Sequence, residues 1–424
     1  GSPPPASVLQ DSMADSPQGA ADIFAGTVDL PYYLETPANA NDPDALSSFW
    51  EAQNTVGGER NLTFLNPLPE IKSIQTVPLL TSIPRTAKPA GGWPVVIYQH
   101  GITTNRATLL AVADSLAAAG FAAVAIDLPL HGLTGNETDG TAAFRLAGSE
   151  RTFDLDLIDN ATSAPGPDGV IDPSGTHLIQ LESLLTSRDH LRQAAADLMS
   201  LHKALETMEV DAVAGPDFDT GNVHFLGHSL GGMVGGLFLA LEPAVGAATL
   251  AMSGGGIAKL LDGSQSFGPR IAAGLAAAGI DRGTLEYEAF IGAAQTVIDS
   301  GDLLNYALQI ATGRGILVFE VVGDGNTEVP DQTIPNNVLN VPGVVPSPTA
   351  GTDPLVAAMG LNPINTTTTG ENLLAVVRYI AGSHSSLLDP TPNPAVTTEM
   401  QTQAATFLAS DGGQVVISDG NVIE

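Results

Sequence analysis

No cysteine occurs among the 424 residues. Disulfides, thiolate catalysis, Cys-ligated zinc and iron–sulfur clusters are therefore excluded. Cations are scarce as well: 15 Lys and Arg stand against 46 Asp and Glu, a net charge of −31. Only Lys72, Lys88, Lys203 and Lys259 are lysines. So acidic a surface repels polyanions, which excludes nucleic acid and anionic membranes as partners. It suits a salty medium that screens self-repulsion. No charge-free run of ~18 apolar residues is present, so no transmembrane segment is expected. No signal peptide is read either, and Gly1-Ser2 reads as a cloning remnant. The expected location is secreted, periplasmic or outer-surface, with the signal segment already trimmed. No His/Asp/Glu cluster has catalytic zinc spacing, and no P-loop lysine follows a glycine-rich turn, so neither metal nor cofactor is expected.

What remains is a chain 43% hydrophobic, long enough for one large domain with insertions or for two domains. Residues 1–25, with Pro3, Pro4 and Pro5, read as a flexible tether. Residues 26–90 read as a small β-rich N-terminal region, and 91–424 as the main domain. There, apolar strands (94–99, 121–126, 223–226, 247–252, 316–322, 373–380) alternate with helical spacing at 105–119, 188–208 and 230–241. That rhythm implies βαβ units, a mostly parallel sheet and helices on both faces. Stretches 133–187 and 254–312 interrupt it, each just after a strand, and read as insertions over a site.

The sharpest signal is Gly227-His228-Ser229-Leu230-Gly231, between an expected strand and an expected helix. A serine on so tight a bend has a strained backbone, and glycines two residues to either side relieve the crowding. The N-terminal N–H groups of the following helix favour developing negative charge.

This elbow resembles that of the α/β-hydrolase superfamily. With Pro94–Gly101, Asp127–Gly132, Ser187–Arg192 and Gly382–Asp389, the chain is similar to a bacterial extracellular family of virulence-factor type lipases, some of whose relatives hydrolyse aliphatic polyesters. The resemblance spans roughly residues 26–400. It implies an α/β-hydrolase fold with lid insertions and a serine carboxylesterase or lipase acting on an ester small molecule, a lipid or a polyester. Ser229 is then the nucleophile. The oxyanion donors are the N–H groups of Leu230 and of Ile102, the residue after His100-Gly101. The superfamily order Ser, acid, His points to His384, just beyond the last strand. His100 and His131 are read as loop braces.

Three aspartates follow the 316–322 strand. Asp331, in Asp331-Gln-Thr-Ile-Pro335, resembles the superfamily pattern for the acid; Asp324 is nearest the strand end, and Asp353 can be explained as a helix N-cap. Gly101, His228, Ile257, Leu260 and Phe267 are candidate substrate contacts. The 254–312 stretch reads either as a cap with its own core or as a lid over an acyl pocket. The acidic segment around Asp168 misses EF-hand spacing and reads as a solvated turn. Gln414 to Ile423 reads as a hairpin that could pair with the N-terminal β region. Rival functions are a peptidase or acyltransferase on the same site, or a surface-binding protein of hydrolase fold without catalysis.

Overall fold

Runs such as Val95–Tyr98 and Ala122–Ile126 are apolar at every position and need cover on both faces. In the computed structural model, which describes residues 19–211 and 213–424, they are inner strands of a nine-stranded sheet. In chain order the elements are β1 (Ala21–Tyr32), β2 (Glu51–Val56), β3 (Glu59–Asn61), β4 (Ser73–Pro84), β5 (Trp93–Gln99), α1 (Leu110–Ala118), β6 (Ala122–Ile126), α2 (Leu184–Ala204), β7 (Phe218–His228), α3 (Leu230–Leu241) and β8 (Ala248–Ala251). They continue with α4 (Ile257–Gly263), α5 (Gly268–Ala277), α6 (Leu285–Ile298), α7 (Ala307–Ile310), β9 (Ile316–Val321), α8 (Thr352–Met359), β10 (Asn362–Pro363), β11 (Thr368–Thr369), β12 (Leu374–Tyr379), α9 (Pro394–Ala409) and β13 (Gln414–Val415).

The sheet order is β1-β4-β6-β5-β7-β8-β9-β12-β10. Neighbours from β6 to β10 run parallel, and β4 and β1 add two antiparallel strands. Alternate residues feed two cores. Val95 and Ile97 pack with α2 and α3, whereas Val96 and Tyr98 pack with α1 and α9. The chain leaves β5 for β6, then returns to the other side of β5 for β7, β8 and β9. Strand order therefore reverses between β5 and β7, which opens a crevice beyond their carboxyl ends.

Several expectations are corrected. Residues 26–90 are not a separate β-rich unit, because β1 and β4 pair along their whole length and extend the central sheet. Only the β2–β3 hairpin stands apart. The tether expected over 1–25 lies mostly outside the described residues, and its last part begins β1, where Ala21 and Ile23 are buried. Gln414 to Ile423 is not a hairpin. The Glu399 carboxylate takes the Ser418 and Asp419 N–H groups, β13 pairs with β11, and Ile423 bridges Tyr379. Around Asp168, the carboxylates of Asp156, Asp159 and Asp168 accept main-chain N–H groups of their own loop. Among the described residues no helix is long and apolar enough to cross a membrane.

Two ion networks brace the strand ends, one buried and one half-buried. Arg106, 1% exposed, pairs with Asp127 and grips both oxygens of Glu150 at 2.8 Å, tying the loop after β5 to that after β6. On the far side Arg378 of β12 donates to Glu320 of β9 and to Asp353, both at 3.0 Å. Burial, then the Asp353 carboxylate, pushes the Glu320 carboxyl up to about 7 against the pull of Arg378. Folded protein therefore holds a proton that the unfolded chain releases near its ordinary 4.5. Stability from this group is full below about pH 4.5 and is lost as pH rises toward 7, by up to about 3 kcal/mol. Urea unfolding of wild type and Glu320→Gln between pH 4.5 and 8 should show this fall in the wild type only. Parallel pH profiles would contradict it.

Candidate active site

β7 ends and α3 begins across Ser229, whose φ is +56° and ψ −123°. This strained bend is possible because its neighbours lack side chains. A Cβ on Gly227 would lie 2.6 Å from Gly232 Cα, and one on Gly231 would strike the Gln99 and His100 carbonyls. Gly101 presses from the other side, since a Cβ there would lie 2.9 Å from Ser229 Cβ. The Ser229 N–H donates to the Ala251 carbonyl at 2.8 Å, and its own carbonyl accepts from Gly232 and Met233. Among the described residues the Leu230 N–H, first of the helix, has no acceptor.

The loop after β5 is held by two buried histidines. Leu128 N–H donates to His100 Nε2 at 3.1 Å, so Nδ1 carries the hydrogen and donates to the Gly101 carbonyl at 2.8 Å. In the same way Thr103 N–H donates to His131 Nε2, and His131 Nδ1 donates to the Pro129 carbonyl. Burial lowers the pKa of both, His131 to about 3, so they stay neutral and keep these tautomers. Thr103 is itself strained at φ +66°. With the Thr103 N–H taken by His131 and the Thr104 N–H turned to the Gly101 carbonyl, the Ile102 N–H is left over among the described residues.

His384 follows β12 in a turn that Gly382 (φ +99°) and Ser386 shape. Its Nδ1 donates to Asp331 Oδ2 at 2.6 Å, which leaves Nε2 as the basic nitrogen of the neutral ring. Asp331 is 6% exposed, and its other oxygen accepts from Thr333 and Ile334 N–H. Behind the pair, His228 Nε2 donates to the His384 carbonyl at 2.8 Å, and the two rings lie 5.0 Å apart. Burial, then the His384 charge, drives the His228 pKa down to about 3. The elbow residue thus ties the histidine loop to the serine's own strand. No hydrogen bond joins Ser229 Oγ to His384 in this arrangement, a contact commonly long until substrate is bound.

The other aspartates are engaged elsewhere. Asp324 lies in an exposed turn and accepts from Asn326, Thr327 and Glu328 N–H, which lowers its pKa to about 2. Asp353 holds Arg378 and Asn337, and it lies inside the first turn of α8 rather than at the N-cap, which is Gly351.

Ser229 opens onto an elongated cleft of about 820 Å³, its mouth included. Ile102, Leu230, Met233 and Ile334 line it together with Ile257, Leu261, Phe267, Ile271, Phe290 and Ile298 of the 254–312 stretch. Gln180, Ser187 and Ser229 are its polar side chains, and none is charged. Of the candidate substrate contacts, Ile257 and Phe267 reach it. Leu260 does not, because it is turned about 100° from Leu261 on α4 and is fully buried in the core. Gly101 and His228 act from behind the bend. The sequence reading missed the wall formed by Leu178, Leu181, Leu184 and Leu191; its signal was a cluster of leucines at the end of an otherwise polar insertion.

No protein-family model and no curated protein matches the chain. Among solved structures, an acetyl xylan esterase from Thermoanaerobacterium is 16% identical at TM-score 0.42, covering 79% of each chain. An esterase from an Arctic intertidal metagenomic library is 14% identical at TM-score 0.42, covering 94% of this chain and 97% of its own. An acetyl xylan esterase from Paenibacillus is 15% identical at TM-score 0.43, covering 87% and 96%. On its own sheet order, strand reversal and strand–serine–helix bend, the chain has an α/β-hydrolase fold.

Proposed function

We propose that the protein is a serine carboxylic-ester hydrolase for esters of aliphatic acyl chains, of the carboxylesterase or lipase kind and including aliphatic polyesters. The observation that carries this reading is the strained Ser229 at the foot of a cleft without a charged side chain. Such a cleft takes up an alkyl chain at roughly 25 cal/mol per Å² of apolar surface and offers no partner to a charged one.

In this reading Ser229 Oγ attacks the ester carbonyl as His384 Nε2 takes its proton. Asp331 fixes the imidazole tautomer and stabilises the imidazolium. The Leu230 and Ile102 N–H groups hold the tetrahedral oxyanion. His384 then protonates the leaving alkoxide. Water activated by the same histidine releases the acid from Ser229. The insertion helices α4, α5 and α6 act as a lid that excludes water from the acyl chain. A peptidase or acyltransferase reading places the same groups in the same roles and differs only in substrate.

With p-nitrophenyl esters of two to sixteen carbons, Ser229→Ala should lose turnover by roughly 10³-fold or more at every length. The wild-type optimum should lie above acetate, and matched anilides should be turned over poorly. An optimum at acetate would remove the acyl-cleft assignment. Asp331→Asn should lower kcat by about 10³–10⁴-fold with KM little changed, while Asp324→Asn keeps wild-type kcat. Full activity in Asp331→Asn would show that another group serves as the acid.

A further inference from the structure

A second groove lies on the far part of α2 and α3. The cleft at Ser229 uses the start of these helices, whereas this groove uses Arg192 and Leu237 with Tyr33, Trp50, Phe64 and Tyr306. From Ser229 to Leu237 the helical rise is about 12 Å, so an occupant here does not touch the nucleophile. The groove encloses about 1250 Å³, its open mouth included. Its wall is aromatic, with the Tyr33 and Trp50 rings 4.6 Å apart and Phe64 almost wholly exposed at 96%.

Its charge is the reverse of the molecule's. In a chain of net −31, the charged side chain on this wall is Arg192. Arg192 donates to Ser300 Oγ at 2.7 Å and more weakly to Asp189 at 3.2 Å. Asp189 is already held by Arg188 through two 2.8 Å bonds and accepts from the Trp50 main-chain N–H. Two guanidiniums thus share one carboxylate. The pKa of Arg192 is lowered by burial first and by Arg188 second. The neighbouring carboxylates Glu35, Glu51 and Glu70 are held by Arg60 and Lys72. The side chain remains 25% exposed, with guanidinium N–H groups to spare.

We propose that this groove is a second binding site, for an aliphatic carboxylic acid. Its alkyl chain lies along Trp50, Phe64 and Leu237, and its carboxylate accepts hydrogen bonds from Arg192. A planar guanidinium and a carboxylate pair with matched geometry, and such a head group gives Arg192 a carboxylate of its own in place of the one it shares with Arg188. The same groove takes a neutral alkyl chain less well, because Arg192 is then desolvated with only a shared carboxylate beside it.

The test uses octanoate and octan-1-ol at neutral pH, read by tryptophan emission. Trp50 and Trp93 are the chain's two tryptophans, and Trp93 is buried in the core at 3% exposure, so Trp50→Phe should abolish the response. Octanoate should bind saturably and at least tenfold more tightly than octanol, and Arg192→Gln should erase that preference. Thr63→Glu, an exposed change on the opposite wall, should weaken octanoate severalfold and spare octanol. Equal binding of acid and alcohol, or an acid preference that survives both substitutions, would overturn the proposal. Neither ligand is an ester, so the result is independent of whether Ser229 catalyses hydrolysis.

Discussion

The structure turns on steric crowding at one bend. Between β7 and α3 the backbone must turn within a single residue, and Ser229 takes a left-handed φ that a side-chain-bearing residue adopts reluctantly. Gly227, Gly231, Gly232 and Gly101 surround it because a Cβ at any of them meets backbone or side-chain atoms. The strain is held by the β7–β8 pairing, by the Ser229 N–H bond to Ala251 and by the helix beyond. Since the bend falls where strand order reverses, the same constraint faces the serine into the crevice and brings the loop after β5 against it.

Around that bend the protein works with uncharged imidazoles. His100, His131 and His228 are buried and depressed in pKa, and each braces a loop next to Ser229 through backbone groups, His100 and His131 with both ring nitrogens and His228 with Nε2. A protonated ring at His100 or His131 would need a second acceptor and would turn a loop N–H away. His384 differs in having a carboxylate as its partner. The few cations are spent largely on fixing loops, as Arg106 does with Asp127 and Glu150, while the cleft stays free of charge.

The inner strands were legible because burial on both faces leaves an uninterrupted apolar signature, and the bend because its glycines are fixed steric requirements. The segments of β1 and β4 were legible as β-rich but not as part of the central sheet. Their pairing joins residues some fifty positions apart, and nothing local encodes that partner. Of the three aspartates that follow one strand, Asp331 was favoured as text only by its resemblance to a motif. What distinguishes Asp331 is the fold-back of its carboxylate onto Thr333, Ile334 and His384, a contact rather than a pattern. The contribution of Leu178 and Leu181 to the cleft was hidden for the same reason, since a polar composition surrounds them. Leu260 shows the converse: helical spacing identifies an apolar residue, and only the rotation of α4 decides which surface it meets.

The central claim is that one hydroxyl, at position 229, is the reactive nucleophile. Treatment with an alkyl fluorophosphonate followed by peptide mass mapping tests it directly. A single adduct on the peptide holding Ser229, absent from Ser229→Ala, is the expected result; an unmodified protein, or an adduct on a different serine, contradicts the account.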